Sequence, residues 1–487
     1  MPTRIDPEGL RLPIKLDSTS NGEFVPVPLE PVHEWARAQA LAQATSHARR
    51  LGQDRRSFMV ALTGAATTLL AMNEAYAAAG KLGGFYALPG VAAMEAEAAA
   101  SVLAGREFIF DVQGHFVNPT GAWTATVPQG VKPLSFAETE ACAAAALPGR
   151  LDHLQCLGPD AFIRDVFVDS DTDLMVLSFV PSTRNGEPLT IEEAAATAGI
   201  VERLEGTHRL LLHGRVNPNQ AGDLEAMAQI ADRYPIAAWK TYTQWGPDGV
   251  GYFLDDEVGL RLIESARALE IRNIAVHKGL PFGRESYEHS TCVDVGRVAK
   301  RYPDMNFLIY HSGFVTTRGE GAYDPTASDG VDQLISSLRK AGLGKNSNVY
   351  AELGSTWRYL MRDPDAAAHT LGKLLVHLGE DNILWGTDSI WYGSPQDQIQ
   401  AFRAFQISAE YRERHGYPEI TPEIRAKIFG LNALKVYDVD CSVLRPLLAT
   451  DRVSRDKELC RGAPDPRFVT YGPKTRREFL RLKALGG

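Results

Sequence analysis

The stretch FIFDVQGHFVNP, Phe108 to Pro119, decides how the rest of this chain is read. Four apolar residues among its first five lead straight into Gln113, Gly114 and His115, the pattern of a buried strand that delivers polar side chains at its C-terminal end. Gln113 and His115 are two apart, so on a strand both point to the same side. A parallel α/β barrel presents its chemistry in this way. One histidine after one strand is equally well a capped strand end, so the reading rests on whether later strands match it.

Downstream of Pro119 the chain alternates regularly. Apolar runs recur at residues 173–181, 208–218, 235–243, 271–279, 305–313, 348–355 and 382–388. Stretches rich in helix formers, such as IEEAAATAGIVERLE at 191–205, separate them. Strands alternating with helices of this length indicate βαβ units and a parallel sheet. With the first strand counted there are eight, which predicts an α/β fold of the closed (β/α)8 TIM-barrel type over residues 81–440 rather than an open doubly wound sheet. No G-x-G-x-x-G follows a strand, so a dinucleotide-binding fold has no support. Residues 121–150 are too many for a tight βα loop and are expected to form a flap inserted over the strand ends.

The polar residues stand at corresponding places. Gln113 and His115 end the first strand, Lys240 lies on the fourth, and His277, His311 and Asp388 end the fifth, sixth and eighth. In a barrel these ends converge on one mouth, so residues far apart in sequence share one pocket. Two or three imidazoles with a carboxylate form a divalent-metal set; Zn(II) is favoured, with Mn(II) or Fe(II) also fitting. Taken singly, each residue has a plainer explanation: a core histidine, a helix cap for Asp388, a snorkelling Lys240.

Composition sets the outer bounds. The 487 residues, 44% hydrophobic and 23% charged with a net charge of -9, describe an ordinary globular protein and exclude a basic nucleic-acid surface. Five scattered cysteines without a C-x-x-C pair offer neither a thiolate zinc site nor a dense disulfide framework. Residues 1–80 read as a leader outside the fold. Arg55-Arg56-Ser57-Phe58-Met59 precede the short apolar run VALTGAATTLLAM and then Ala75-Tyr76-Ala77. Such a motif resembles a twin-arginine export signal and predicts a periplasmic protein with no membrane anchor once the leader is removed.

Beyond single residues, IAVHKG, FLIYHSGF after RYPD, NVYAELGS, ILWGTDS and the closing IFGLNALKVYDVD resemble the strand motifs of the amidohydrolase superfamily. The likeness is to its amidohydrolase-related branch, which includes aminocarboxymuconate-semialdehyde decarboxylase and the resorcylate-type decarboxylases. It runs from about Phe108 to Asp440, leaving 441–487 as an extension expected to wrap the barrel or a neighbouring subunit of a homo-oligomer. The resemblance implies that His115, His277 and Asp388 hold one divalent metal, with Asp388 also shuttling a proton and His311 acting as acid, base or polarising group. It leaves Lys240 either to bind a substrate carboxylate or, carbamylated, to bridge two metals; the first is preferred because the branch is usually mononuclear. Hydrolases of the superfamily show His-x-His on the first strand and the decarboxylases often Glu-x-His, whereas this chain has Gln113-Gly114-His115. Gln113 is therefore a candidate ligand of open role.

Three functions are compatible with these residues. A metal-dependent hydrolase acting on a C–O or C–N bond of a small organic substrate is the leading expectation; a nonoxidative decarboxylase of an aromatic or enoic acid is the alternative; an exported, non-catalytic binding protein is the third. Arg318 and Arg358, after the sixth and seventh strands, are candidates for holding a substrate carboxylate. Trp391 and the aromatics Trp123, Tyr242, Trp245, Phe282, Trp357 and Tyr392 are candidates for a ring-binding pocket.

Overall fold

The computed structural model describes residues 6–127, 134, 152–281, 287–462 and 466–484. Of the flap expected at 121–150, all but residues 121–127 and Leu134 lies outside them, as does Phe282. Ten strands are described: β1 Gly84–Tyr86, β2 Phe110–Gly114, β3 Leu174–Leu177, β4 Leu210–Arg215, β5 Ile236–Tyr242, β6 Asn273–His277, β7 Asn306–Tyr310, β8 Val349–Glu352, β9 Ile383–Leu384 and β10 Phe405–Ile407. Strands β2 to β9 form one parallel eight-stranded sheet in sequence order, each falling inside one of the eight apolar runs. β1 and β10 pair antiparallel outside it.

The two edges of the sheet meet. The Val112 N–H donates to the Trp385 carbonyl at 3.0 Å, the Asp388 N–H to the Gln113 carbonyl at 3.0 Å and the His115 N–H to the Ser389 carbonyl at 2.6 Å. At this seam Asp111 is fully buried, and its carboxylate accepts from the Gln113 N–H, the Thr387 N–H and the Thr387 hydroxyl. Burial pushes its carboxyl up to about 7, against the pull of these donors. Phe110, Val112, Leu174, Val176, Ala238, Ala275, Leu308 and Leu384 fill the barrel interior, as branched and apolar residues do in such barrels.

The structure departs from the sequence expectation at the N-terminus. Rather than standing outside the fold, residues 1–80 contribute helices Pro31–Arg50, Arg55–Val60 and Leu62–Ala78 to its largest hydrophobic cluster, with Phe58, Met59, Leu69 and Met72 fully buried. An apolar run of about 13 residues is too short to span a bilayer but suits a buried helix, and here the Ala-rich face of Pro31–Arg50 covers it. Arg56 of the arginine pair is buried too and donates to the Pro466 carbonyl at 2.6 Å. No helix among the described residues is long and apolar enough to cross a membrane.

The C-terminal residues also lie on the barrel, in helices Cys441–Leu448, Arg452–Gly462 and Arg476–Ala484. Their main tie is the buried pair between Arg209 on the strand β4 approach and Asp451, whose Oδ1 accepts from Arg209 Nη2 at 2.9 Å and whose Oδ2 accepts from Arg209 Nε and the Thr207 hydroxyl. Burial opposes the Asp451 charge, but Arg209 and the Ser454 N–H hold the carboxyl below its usual range. Its contribution is therefore present above the ordinary carboxylate range and lost as pH falls through the lowered value. Asp451→Asn leaves a guanidinium buried without its counter-charge and should destabilise the protein by about 3–5 kcal/mol at pH 7. Urea unfolding checks this, with the difference from wild type narrowing in acid.

Candidate metal centre

The strand ends bring six of the sequence-expected residues to one buried mouth: Gln113, His115, Lys240, His277, His311 and Asp388 are all 3% exposed or less. Five of them form two hydrogen-bonded groups. In the first, His115 Nε2 lies 3.1 Å from Asp388 Oδ1, which also accepts from Gln113 Nε2 at 3.0 Å. Asp388 Oδ2 accepts from the Ser355 hydroxyl at 2.5 Å, and Ser355 continues to the Tyr392 hydroxyl at 2.7 Å. Burial opposes ionisation of Asp388, but its hydrogen bonds with His115 and Ser355 hold its carboxyl below the usual range.

In the second group His277 Nδ1 faces His311 Nε2 at 3.2 Å. His311 Nδ1 is 2.6 Å from the Gly354 carbonyl, and His277 Nε2 is 3.5 Å from the Leu280 carbonyl. A carbonyl only accepts, so His311 Nδ1 carries the ring proton and its Nε2 presents a lone pair to His277 Nδ1. Burial keeps both rings neutral: His311 is pushed down to about 4, against the pull of Asp388, and His277 well below its ordinary value.

Glu352, which sequence reasoning did not single out, sets this arrangement. From the end of β8 its Oε2 accepts from the His311 N–H at 3.0 Å and its Oε1 from the Gly354 N–H at 2.6 Å. A Cβ at Gly354 would collide with this carboxylate and with the Gln113 amide, so the glycine of the LGS motif is required by close approach. His311, Ser355 and Asp388 have φ of 66°, 53° and 58°. Left-handed backbone is strained for such residues, and here it gathers around one site.

The remaining candidates divide. Lys240 Nζ is buried with no hydrogen-bond partner among the described residues and lies 3.8 Å from the Tyr310 ring centroid and 4.6 Å from that of Tyr242. Trp391 stacks on His115, centroids 6.0 Å apart. Arg358 is buried against the Tyr392 ring and donates to Asp17 at 2.8 Å, one ring removed from the site. Arg318 is not brought in: it is spent on Asp329 at 2.7 Å and Asp332 at 3.3 Å. Trp357 packs in the core against Phe402 and Phe405.

Sequence reasoning also missed Asn21 and Glu23, which arrive from the N-terminal segment. Asn21 Nδ2 donates to Asp388 Oδ2 at 2.7 Å and to Glu23 Oε2 at 2.6 Å, and Glu23 oxygens stand 3.7 Å from His277 Nδ1 and 3.9 Å from His311 Nε2. Nothing in the local pattern DSTSNGEF marks it as part of a site.

The donor set fits a divalent cation. His311 Nε2 and His277 Nδ1, 3.2 Å apart, take either a proton or a cation between them, and His115 Nδ1 and Gln113 Oε1 are buried polar atoms without a hydrogen-bond partner among the described residues.

Residues 110–439 match the amidohydrolase family. The chain belongs to that family. Its barrel is an enzyme scaffold of the amidohydrolase superfamily, as the strand motifs imply. No functionally curated protein matches the chain in sequence. Among solved structures it is similar to 5-carboxyvanillate decarboxylase from Sphingomonas paucimobilis, at 12% identity over 68% of this chain and 99% of that one, TM-score 0.40. It is also similar to the 5-carboxyvanillate decarboxylase of Novosphingobium aromaticivorans complexed with manganese and 4-hydroxy-3-methoxy-5-nitrobenzoic acid, at 14% identity over 69% and 97%, TM-score 0.44. A third is 2,6-dihydroxybenzoate decarboxylase with 2,6-dihydroxybenzoate, at 15% identity over 68% and 100%, TM-score 0.40.

Above about pH 8, where the Glu352 carboxyl is ionised, Glu352→Gln offers one backbone N–H an amide NH2 instead of an oxygen and should destabilise the amidohydrolase by about 1–3 kcal/mol, the penalty for an unsatisfied buried donor. Glu352→Ala, which leaves both N–H groups unmet, should lose more; urea unfolding orders the two.

Proposed function

We propose that this amidohydrolase is a metal-dependent decarboxylase of a small aromatic or enoic carboxylic acid. The observation that supports it is Lys240: an ammonium buried at the mouth, against two tyrosine rings, without a hydrogen-bonding partner among the described residues. Its charge feels Glu23, Glu352 and Asp388, yet none of them hydrogen-bonds it, and a substrate carboxylate would supply the bonded anion. The rings of Tyr242 and Tyr310 lie against the Lys240 ammonium and that of Trp391 against His115, apolar faces beside the two ends of the site.

His115, His277 and Asp388, joined by the His311 lone pair, are the residues to hold the metal, a Lewis acid that polarises a substrate oxygen when bound. The imidazole donors suit Zn(II), and sharing the site with carboxylate suits Mn(II) or Fe(II) equally. Lys240 holds the carboxylate in a site closed to bulk water, where the charge loses its hydration. The bond from the carboxyl carbon to the ring or vinyl carbon breaks, its electron pair stays on that carbon, and CO2 leaves. Burial lowers the Lys240 ammonium to about 7, against the pull of Glu23, Glu352 and Asp388, so its proton is well matched for transfer to the same carbon.

A second reading, hydrolysis, is favoured by one observation: Asp388 is held ionised beside His115 and can accept a proton from an attacking water. The two readings part on product. Metal-loaded enzyme should release CO2 from a panel of hydroxylated aromatic acids; cleavage of esters, lactones or amides with no CO2 from any acid would overturn decarboxylation.

Lys240→Met should lower kcat/KM for the acid by about 10²–10⁴ while leaving bound metal stoichiometric by elemental analysis. Wild-type kcat/KM should fall as pH rises past about 7, where Lys240 loses its charge. Stripping the metal with a chelator should abolish turnover, and full activity of metal-free protein would end both readings.

A further inference from the structure

We infer that Glu23, carried by the N-terminal segment, is a metal ligand of this site, and that the working enzyme therefore retains residues its sequence would assign to a removable leader. The inference rests on the metal-dependent reading above and adds to it a ligand from outside the family-matching residues 110–439.

Geometry carries the argument. Glu23, His277 and His311 each offer a donor atom, and these atoms lie within 4.8 Å of one another. His311 Nδ1 donates to the Gly354 carbonyl, so its Nε2, turned toward Glu23 and His277 Nδ1, presents a lone pair. The His311 lone pair and the Glu23 carboxylate, 3.9 Å apart beside His277, repel one another, and a cation at their centre turns the repulsion into coordination. Asn21 Nδ2 meets Glu23 Oε2 from behind, the kind of second contact that fixes a ligating carboxylate. Charge points the same way. The first strand offers a neutral amide, Gln113, so Asp388 brings one negative charge to a divalent ion and Glu23 brings the second.

The segment that delivers Glu23 is firmly built. Lys15 Nζ donates to the carbonyls of Tyr392 at 2.6 Å and Ser394 at 2.7 Å and lies 3.3 Å from Asp397. Asp17 accepts from Arg358 at 2.8 Å, and its carbonyl accepts from Arg362 at 2.6 Å. The Ser20 N–H donates to the Pro473 carbonyl at 2.9 Å. The Glu23 N–H then donates to Asn21 Oδ1 at 3.0 Å, an Asx turn that aims the glutamate at the mouth. Leu12, Ile14, Leu16 and Phe24 are buried around it. A cut after Ala77 would remove all of this.

The test uses the full chain, stripped of metal and titrated with Mn(II) and Zn(II) by calorimetry, then with Co(II) by visible absorption. Wild type should bind one equivalent. Glu23→Gln, isosteric and uncharged, should weaken binding at least about 10-fold and change the Co(II) d–d bands. Glu23→Asp, which keeps the charge, should retain more affinity than Glu23→Gln and guards against a folding defect, checked by circular dichroism. Exposed Glu8→Gln is the control and should match wild type. Wild-type affinity and an unchanged Co(II) spectrum in Glu23→Gln would overturn the inference alone; failure of wild type to bind any of the three ions overturns the metal reading with it. Mass measurement of metal-loaded, active enzyme should include residue 23, and activity in a chain beginning after Ala77 would count against the ligand role.

Discussion

The seam where β2 meets the residues after β9 is the constraint on which everything else depends. A parallel sheet leaves polar backbone at its edges, and eight twisted strands satisfy those groups by closing on themselves. Closure here places Gln113 and His115 against Asp388, across an interval of 275 residues between Gln113 and Asp388. The buried Asp111 carboxylate collects the backbone N–H groups of Gln113 and Thr387, fixing the register beside the functional side chains. A slip at this seam would turn Gln113 and His115 away from Asp388. Fold closure and site assembly are thus one event.

The same seam explains why the site is strained. The chain must leave β9 and the β7 end sharply enough to direct Asp388 and His311 inward, and both do so through left-handed backbone. Glu352 holds one side of this arrangement through the backbone N–H groups of His311 and Gly354, and the Gly354 carbonyl in turn meets the His311 ring. Its burial, which pushes the carboxyl up to about 8, is the consequence of standing in the middle of the mouth rather than at its rim.

The barrel is legible in the sequence because its strands are buried on both faces and so read as continuous apolar runs. His115, His277, His311 and Asp388 are legible because each ends such a run, and their convergence is a matter of topology alone. Glu23 and Asn21 are not, because the segment holding them is neither strand nor helix: its partners, among them Asp397, Arg358 and Thr470, lie 341 to 453 residues away and leave no local period to detect. The helices at 31–78 escape detection for a related reason. A short apolar run after an arginine pair looks the same whether a membrane or an Ala-rich helix is to cover it. Arg318 shows the reverse error, since position after a strand does not reveal that two nearby aspartates claim it.

Thr470 bonds both Asp17 and Thr19, and the Pro473 carbonyl receives the Ser20 N–H, so the two ends of the chain are laced together over the barrel mouth. This has a consequence in time. During synthesis the N-terminal segment emerges first and must wait, unanchored at this point, until residues near 470 leave the ribosome. A barrel already closed at β9 offers Lys15 and Asp17 their partners at residues 358–397 but not those that Thr19 and Ser20 find at Thr470 and Pro473. The lacing beside Glu23 is therefore complete only when nearly the whole polypeptide has been made.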